Sequence, residues 1–341
     1  MSPAAPTTLP TAHIQGLRVI AHGLTQPRAD AAAHMLATQA QLYDSGVRGL
    51  QIRSTIPIAE EIAAGRIVRT WSQRGTHHLL AAEDATWMMR LCAPRARAGA
   101  EKRQTAIGLT PEDVHAAHDA LRTRLTDGPL TRTGFSALLQ DLGIDPGGHR
   151  SSHLLRHFGS YGDIVQAPRM PAREGAATLD DAFMLVSDLP VAQRDLHTDE
   201  AAAEMARRYL LSHGPATVQD IGWWSGLTLA SVRAGLALLG DDVVEVREAD
   251  GSARMLMHRD AAELLESDDW PALLEEALGA QVDLPAFDEF LIGYKDRARF
   301  VPARLAGSVG PGINGMCYPF TIRGGMVVNG AGPAKAAARK R

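Results

Sequence analysis

Apolar residues along this chain form helical stripes followed by paired alternating runs, and that order is written three times. The clearest copy is the last. Glu200 to Ser212 reads as a helix that His213-Gly214-Pro215 breaks; Thr217 then caps a short helix that Gly226 stops. Thr228 caps the next one, in which Leu229, Val232, Leu236 and Leu239 recur at helical spacing up to Gly240. Two β-favouring runs, Val243–Glu248 and Ala253–His258, flank the turn from Ala249 to Ser252 and predict a hairpin. Three helices and a hairpin are the elements of a winged helix.

The middle copy opens with Thr110-Pro111-Glu112-Asp113, a cap followed by Pro and acidic residues in the first turn, and its helix runs to about Leu125. Asp127-Gly128-Pro129 matches the breaker of the last copy. Helices around 135–144 and 151–160 and strands around 163–168 and 182–187 complete it. The first copy is looser, with helices expected over 11–22, 27–43 and 58–64 and a hairpin formed by Arg66–Trp71 and Thr76–Ala82; a helix from Glu83 to Cys92 leads out of it. From Val282 the texture changes to short β-type runs, Phe290–Tyr294, Ala298–Val301, Met316–Arg323 and Met326–Gly330, with many glycines. The expected architecture is α+β: winged-helix modules at 11–95, 108–195 and 199–260, a linker helix and small C-terminal β domain at 261–330, and a basic, disordered tail at 331–341.

Composition narrows the classes. With 341 residues and 45% hydrophobic content the chain has room for two or three cores. No run of 18 apolar residues and no secretory leader is legible, so cytoplasm is the expected location. Cys92 and Cys317 are the two cysteines, far apart and outside any CxxC, which excludes a disulfide framework, a zinc knuckle and an iron–sulfur cluster; no cofactor or metal is expected. The net charge of −4 looks wrong for a nucleic-acid binder until read by segment. Arginines recur from Arg48 to Arg103, including Arg53, carboxylates crowd 241–289, and Lys295, Arg297, Arg299 and Arg304 follow.

Three stretches carry a family resemblance: Arg69-Thr-Trp-Ser-Gln-Arg-Gly-Thr-His-His-Leu79, the Trp224-Ser-Gly-Leu227 step with the helix after it, and Leu284-Pro-Ala-Phe-Asp-Glu-Phe-Leu-Ile-Gly-Tyr-Lys-Asp-Arg297. They resemble a bacterial family of winged-helix DNA glycosylases that includes the azinomycin-resistance (self-resistance) enzyme and relatives that unhook interstrand crosslinks. The resemblance spans about Ile14 to Val328 and implies three winged helices in a C-shaped body. Members carry Gln-x-Gln or Gln-x-Asp late in an early helix, and Gln39-Ala40-Gln41 stands there, which places the chain with the Gln-x-Gln branch. Where relatives tend to close the β domain with Gly-Thr-Trp, this chain reads Val328-Asn329-Gly330-Ala331.

By that resemblance Gln39 and Gln41 are the expected catalytic pair. A glutamine has no useful pKa and is a poor acid or base. A purine alkylated at N7 is already cationic, however, and departs as a neutral base without a proton. What remains is to stabilise an oxocarbenium-like sugar and hold a water on its opposite face, which a carboxamide oxygen does by dipole and hydrogen bond. Residues i and i+2 do not share a helical face, so joint action requires the helix to end or distort, and Asp44-Ser45-Gly46 is read as that end.

The expected DNA contacts are Arg69, Arg74, His77 and His78 in and after the first hairpin turn, Arg150 and Arg156 on the third helix of the middle copy, Arg233 on that of the last, then Lys295, Arg297 and Asn314. A metal at His77-His78 is disfavoured, because successive strand residues face opposite ways. Asp288, Lys295, Asp296 and Arg297 read as an architectural ion-pair cluster. The partner is duplex DNA carrying alkylated or crosslinked purines, bound by a monomer. The competing classes are a non-catalytic winged-helix regulator and a protein that sequesters the genotoxin itself.

Overall fold

Pro10, at φ −57°, leads into the first apolar stripe, which becomes helix α1 (Thr11–Ala21) after a short strand β1 (Thr7–Leu9). In the computed structural model, which describes residues 7–249, 254–312 and 315–333, the helix expected over 27–43 is not continuous. Helix α2 (Ala31–Met35) stops where Leu36 turns left-handed at φ 61°, the chain extends through β2 (Thr38–Gln39), and α3 (Tyr43–Ile52) starts anew. Asp44-Ser45-Gly46, read as a helix end, is instead the first turn of α3, where Asp44 complements the helix dipole. Gly46 is required there: a Cβ on it would lie 2.5 Å from that of Ala40.

Two compact units are formed, Met1–Pro57 with Thr198–Arg341, and Ile58–His197. The span expected as the first module is therefore shared between them, 11–57 in one and 58–95 in the other.

The unit of 58–197 holds α4 (Ile58–Ala63), β3 (Ile67–Trp71), β4 (His77–Ala81), α5 (Ala85–Ala106), α6 (Pro111–Leu125), β5 (Leu130–Thr131), α7 (Arg132–Asp141), α8 (Arg150–Gly159), β6 (Ile164–Pro171) and β7 (Leu179–Leu185). Helix α5 runs on well past the expected Cys92; Pro94 within it forfeits one backbone bond without ending it. Thr110 and Asp113 form the predicted capping box, each side chain accepting from the other's backbone N–H. Both hairpins of this unit share one antiparallel sheet, β4-β3-β6-β7-β5, joined at Arg69 opposite Gln166. Its core centres on Trp71, Leu121, Phe135, Leu154, Phe158 and Phe183.

The other unit continues with α9 (Thr198–His213), α10 (Val218–Ser225), α11 (Leu229–Leu239), β8 (Val243–Glu248) and β9 (Arg254–His258), the predicted order, with Gly226 left-handed at φ 76° closing α10. Helix α11 packs directly on α9 at Gly235, where a Cβ would meet the Ala202 backbone at 2.6 Å. Strand β1 adds to this hairpin, parallel to β8. Helices α12 (Arg259–Leu265) and α13 (Trp270–Gly279) follow, and Trp270 packs with Leu9, Ile14, Leu17, Val246, Met255 and Met257. Strand β10 (Gln281–Leu284) then leads to α14 (Glu289–Ile292), α15 (Ala306–Val309), β11 (Phe320–Arg323) and β12 (Met326–Gly330). Strands β10, β11 and β12 make the antiparallel C-terminal sheet.

Two β-type runs of this region are not strands. Phe290–Ile292 is helical because the Asp288 carboxylate accepts the Phe290 N–H at 2.9 Å and nucleates a turn, and Ala298–Val301 is irregular.

Candidate active site

Left-handed Leu36 turns the chain so that Thr38 and Gln39 run extended and Gln41 bends toward the next helix. The backbone N–H of Gln39 donates to Glu289 Oε1 at 2.6 Å, and Glu289 Oε2 accepts the indole N–H of Trp224 at 2.9 Å. Next to it, Asp288 receives Arg53 at the end of α3 through two bonds of 2.9 and 2.7 Å, while Arg53 also donates to the Gly49 carbonyl at 2.7 Å. Arg53, Asp288 and Glu289 are all buried. Adjacent carboxylates at the start of α14 thus hold both ends of the segment from Gln39 to Arg53. Phe287 makes this possible: at φ 61° it reverses the chain just before them.

Gln39 is buried and Gln41 exposed. The Gln39 side-chain oxygen has no hydrogen-bond partner among the described residues, an acceptor withheld from water with nothing to accept. Beside the first turn of α3 opens a cleft of about 350 Å³, with Asp44 and Arg48 facing Asp283, Phe320, Thr321 and Asn329.

Behind Glu289 lies an aromatic layer. His213 Nε2 is 3.6 Å from Glu289 Oε2, the His213 and His22 rings sit 4.6 Å apart, and His22 Nε2 pairs with the Tyr294 hydroxyl at 3.0 Å. Burial pushes His22 well below the ordinary imidazole range; it also lowers His213, against the opposing pull of Glu289. Both are neutral at pH 7 and serve as packing with polar edges.

The expected DNA contacts separate into two kinds. Arg69 lies inside the sheet, its guanidinium donating to Gln166 at 2.6 Å and reaching Asp181 at 3.3 Å and His77 at 3.3 Å. His77 and His78 are buried with different partners, His77 on Gln166 and His78 on Ser72 and the Thr76 carbonyl. Arg150 ties the start of α8 to the Ile107 carbonyl and Asp145. Arg53, counted with the basic stretch, is internal. By contrast Arg156, Arg233 and Lys295 are exposed, and Arg74 is half-buried in a turn at φ 55°. Arg297 donates to the Leu291 carbonyl and lies 5.7 Å over the exposed Trp223 ring. Asn314 lies outside the described residues, as does the tail from 334. The ion pair assigned to 288–297 forms with distant Arg53 instead.

Sequence reasoning did not find Glu289, Arg53 or Trp224 as neighbours of the Gln pair. Glu289 and Trp224 sit in the two motifs quoted for the resemblance, so the signal was present without its geometry.

An acid-stability prediction follows from the buried histidines. Burial, with Arg69 nearby, pushes His77 down to about 2, and burial with His153 pushes His157 down to about 4. The unfolded chain takes up protons at such imidazoles near pH ~6.5 and the folded chain does not, so stability is full above that pH and falls as pH drops toward 4. A fully buried histidine kept neutral to pH 4 costs about 3 kcal/mol there. Urea unfolding from pH 7.5 to 4 is expected to show this decline, smaller in His77→Gln.

The chain belongs to the AlkZ-like DNA glycosylase family, whose model matches residues 32–330. It is similar to the interstrand DNA cross-link repair glycosylase of Streptomyces sahachiroi, 26% identical over 320 residues, covering 89% of this chain and 82% of the relative. The solved structure of Streptomyces sahachiroi DNA glycosylase AlkZ shares its fold, with a TM-score of 0.76 at 21% identity over 94% of this chain and 87% of that one. The resemblance read from the three motifs is borne out.

Proposed function

We propose that this protein is a monofunctional glycosylase that hydrolyses the N-glycosidic bond of cationic N7-alkylated purines in duplex DNA, interstrand crosslinks included. The observation that carries the reading is the buried, unpartnered Gln39 carboxamide oxygen beside exposed Gln41. A preorganised oxygen that accepts no bond among the described residues is free to face charge that develops only during reaction. The C1′–N9 bond breaks with its electron pair going to the cationic base, which leaves neutral; water adds to C1′ and its proton goes to solvent. Exposed Gln41 holds the water, and the Gln39 carboxamide oxygen faces the positive sugar. No step requires a protonated side chain.

No lysine occurs in the first 101 residues, and exposed Lys295 is assigned to phosphate, so we expect no Schiff base with the sugar. The product is therefore an abasic site on an unbroken strand. Exposed Arg156, Arg233 and Lys295 would hold phosphates, and Arg297 with Trp223 would meet the duplex at its own surface. The winged-helix modules are the frame in which we place these contacts. The relative's role in crosslink repair supports the crosslink part of the reading.

The test uses the purified full chain and a duplex with one N7-methylguanine. Mass spectrometry is expected to find free 7-methylguanine, and the strand should break only after alkali treatment. Breakage without alkali would contradict the monofunctional assignment. A sequence-selective footprint on undamaged DNA with no base released would instead identify a regulator.

A further inference from the structure

The Gln39 backbone is bonded on one side by a group remote in sequence and closely approached on the other by Gly46. Its N–H meets Glu289 Oε1 at 2.6 Å, a charge-assisted bond, and its carbonyl lies where a Cβ on Gly46 would come within 2.9 Å. Glu289 is itself oriented: Oε2 accepts from Trp224 at 2.9 Å, and Trp224 is buried against Tyr209 and His213 with ring centroids 5.1 and 5.5 Å away. A fully buried carboxylate is a costly way to fill space, and an apolar side chain of similar volume would often serve packing as well. Its two oxygens do what no apolar group does, fixing the direction of one peptide N–H in an extended segment.

We infer that Glu289 is the positioning residue of the active centre: it sets the Gln39 peptide, and through it the direction of the Gln39 carboxamide, with Trp224 holding the carboxylate in place. This rests on the glycosylase reading above. Glu289 touches no reacting atom, so its contribution passes wholly through Gln39.

The experiment measures the single-turnover rate of 7-methylguanine release, and Kd for the undamaged duplex, for Glu289→Asp and Glu289→Gln, each alone and combined with Gln39→Ala. Glu289→Asp withdraws the carboxylate by one methylene. It is expected to slow release about 100-fold, the scale of an ångström of misplacement, with Kd within about twofold. Glu289→Gln keeps one oxygen acceptor for the Gln39 N–H but turns its NH2 on the Trp224 indole N–H, and is expected to release base about tenfold faster than Glu289→Asp and about tenfold slower than the unaltered protein. In the Gln39→Ala background Glu289→Asp should have no further effect. Should Glu289→Asp fail to fold, Trp224→Phe, which removes the indole bond to Oε2 and leaves His213 beside it, carries the same test with an expected loss of about tenfold that vanishes in the Gln39→Ala background. Unchanged release in these variants, or losses that multiply with Gln39→Ala, would overturn the inference while leaving the glycosylase reading intact. No release by the unaltered protein would end both.

Discussion

Gln39→Ala is expected to slow release of 7-methylguanine from duplex DNA by about 100- to 1000-fold, the loss typical of removing one preorganised polar group from a reacting centre. Kd for undamaged duplex should stay within about twofold, because a buried side chain supplies little binding area. The buried amide sits in a fixed socket, so little reorganisation remains at the moment of reaction. Exposed Gln41 is less constrained, and Gln41→Ala is expected to cost about tenfold. Single-turnover kinetics with circular dichroism of each variant is the measurement; full activity in both alanine variants would remove the glutamines from the mechanism.

The second large effect concerns stability. Asp288→Ala leaves Arg53, 1% exposed, without its bidentate partner and is expected to destabilise the unit containing it by about 3–5 kcal/mol in urea unfolding. Replacing both residues, Arg53→Met with Asp288→Leu, should recover most of that loss, since two apolar side chains avoid the desolvation of two charges. Base release should nonetheless fall in the recovered double variant, because Asp288 also caps α14, which carries Glu289. Stability and rate then part company, and that separates a structural role for the ion pair from its effect on the site.

How far the chemistry was legible differs between the two halves of the site. Gln39 and Gln41 are proposed from the motif they occupy, and their suitability is argued from the cationic leaving group. Their conformation was misread: the amphipathic pattern from Pro27 to Tyr43 carries no breaker strong enough to reveal Leu36 in the left-handed region, where a leucine is rare. The acidic turn at Asp44 was taken for an end because the signals that stop one helix and start the next overlap there. Arg69 and Arg53 were counted as surface charge because residue type alone does not tell a solvated guanidinium from one buried against a carboxylate far along the chain.

Helix caps, breaker residues and the pairing of β8 with β9 were determined by the sequence alone, at Thr110, Thr217, Thr228, Gly226 and across 243–258, since each depends on a backbone preference or a bond within a few residues; the turn expected at 250–252 lies outside the described residues. Tertiary structure decided which hairpins share a sheet, that residues 11–57 cluster with the C-terminal half, and that Asp288 and Glu289 reach back 235 and 250 residues to Arg53 and Gln39. Those pairings depend on where distant segments meet in the core, and a buried carboxylate bonds whatever donor the packing brings to it.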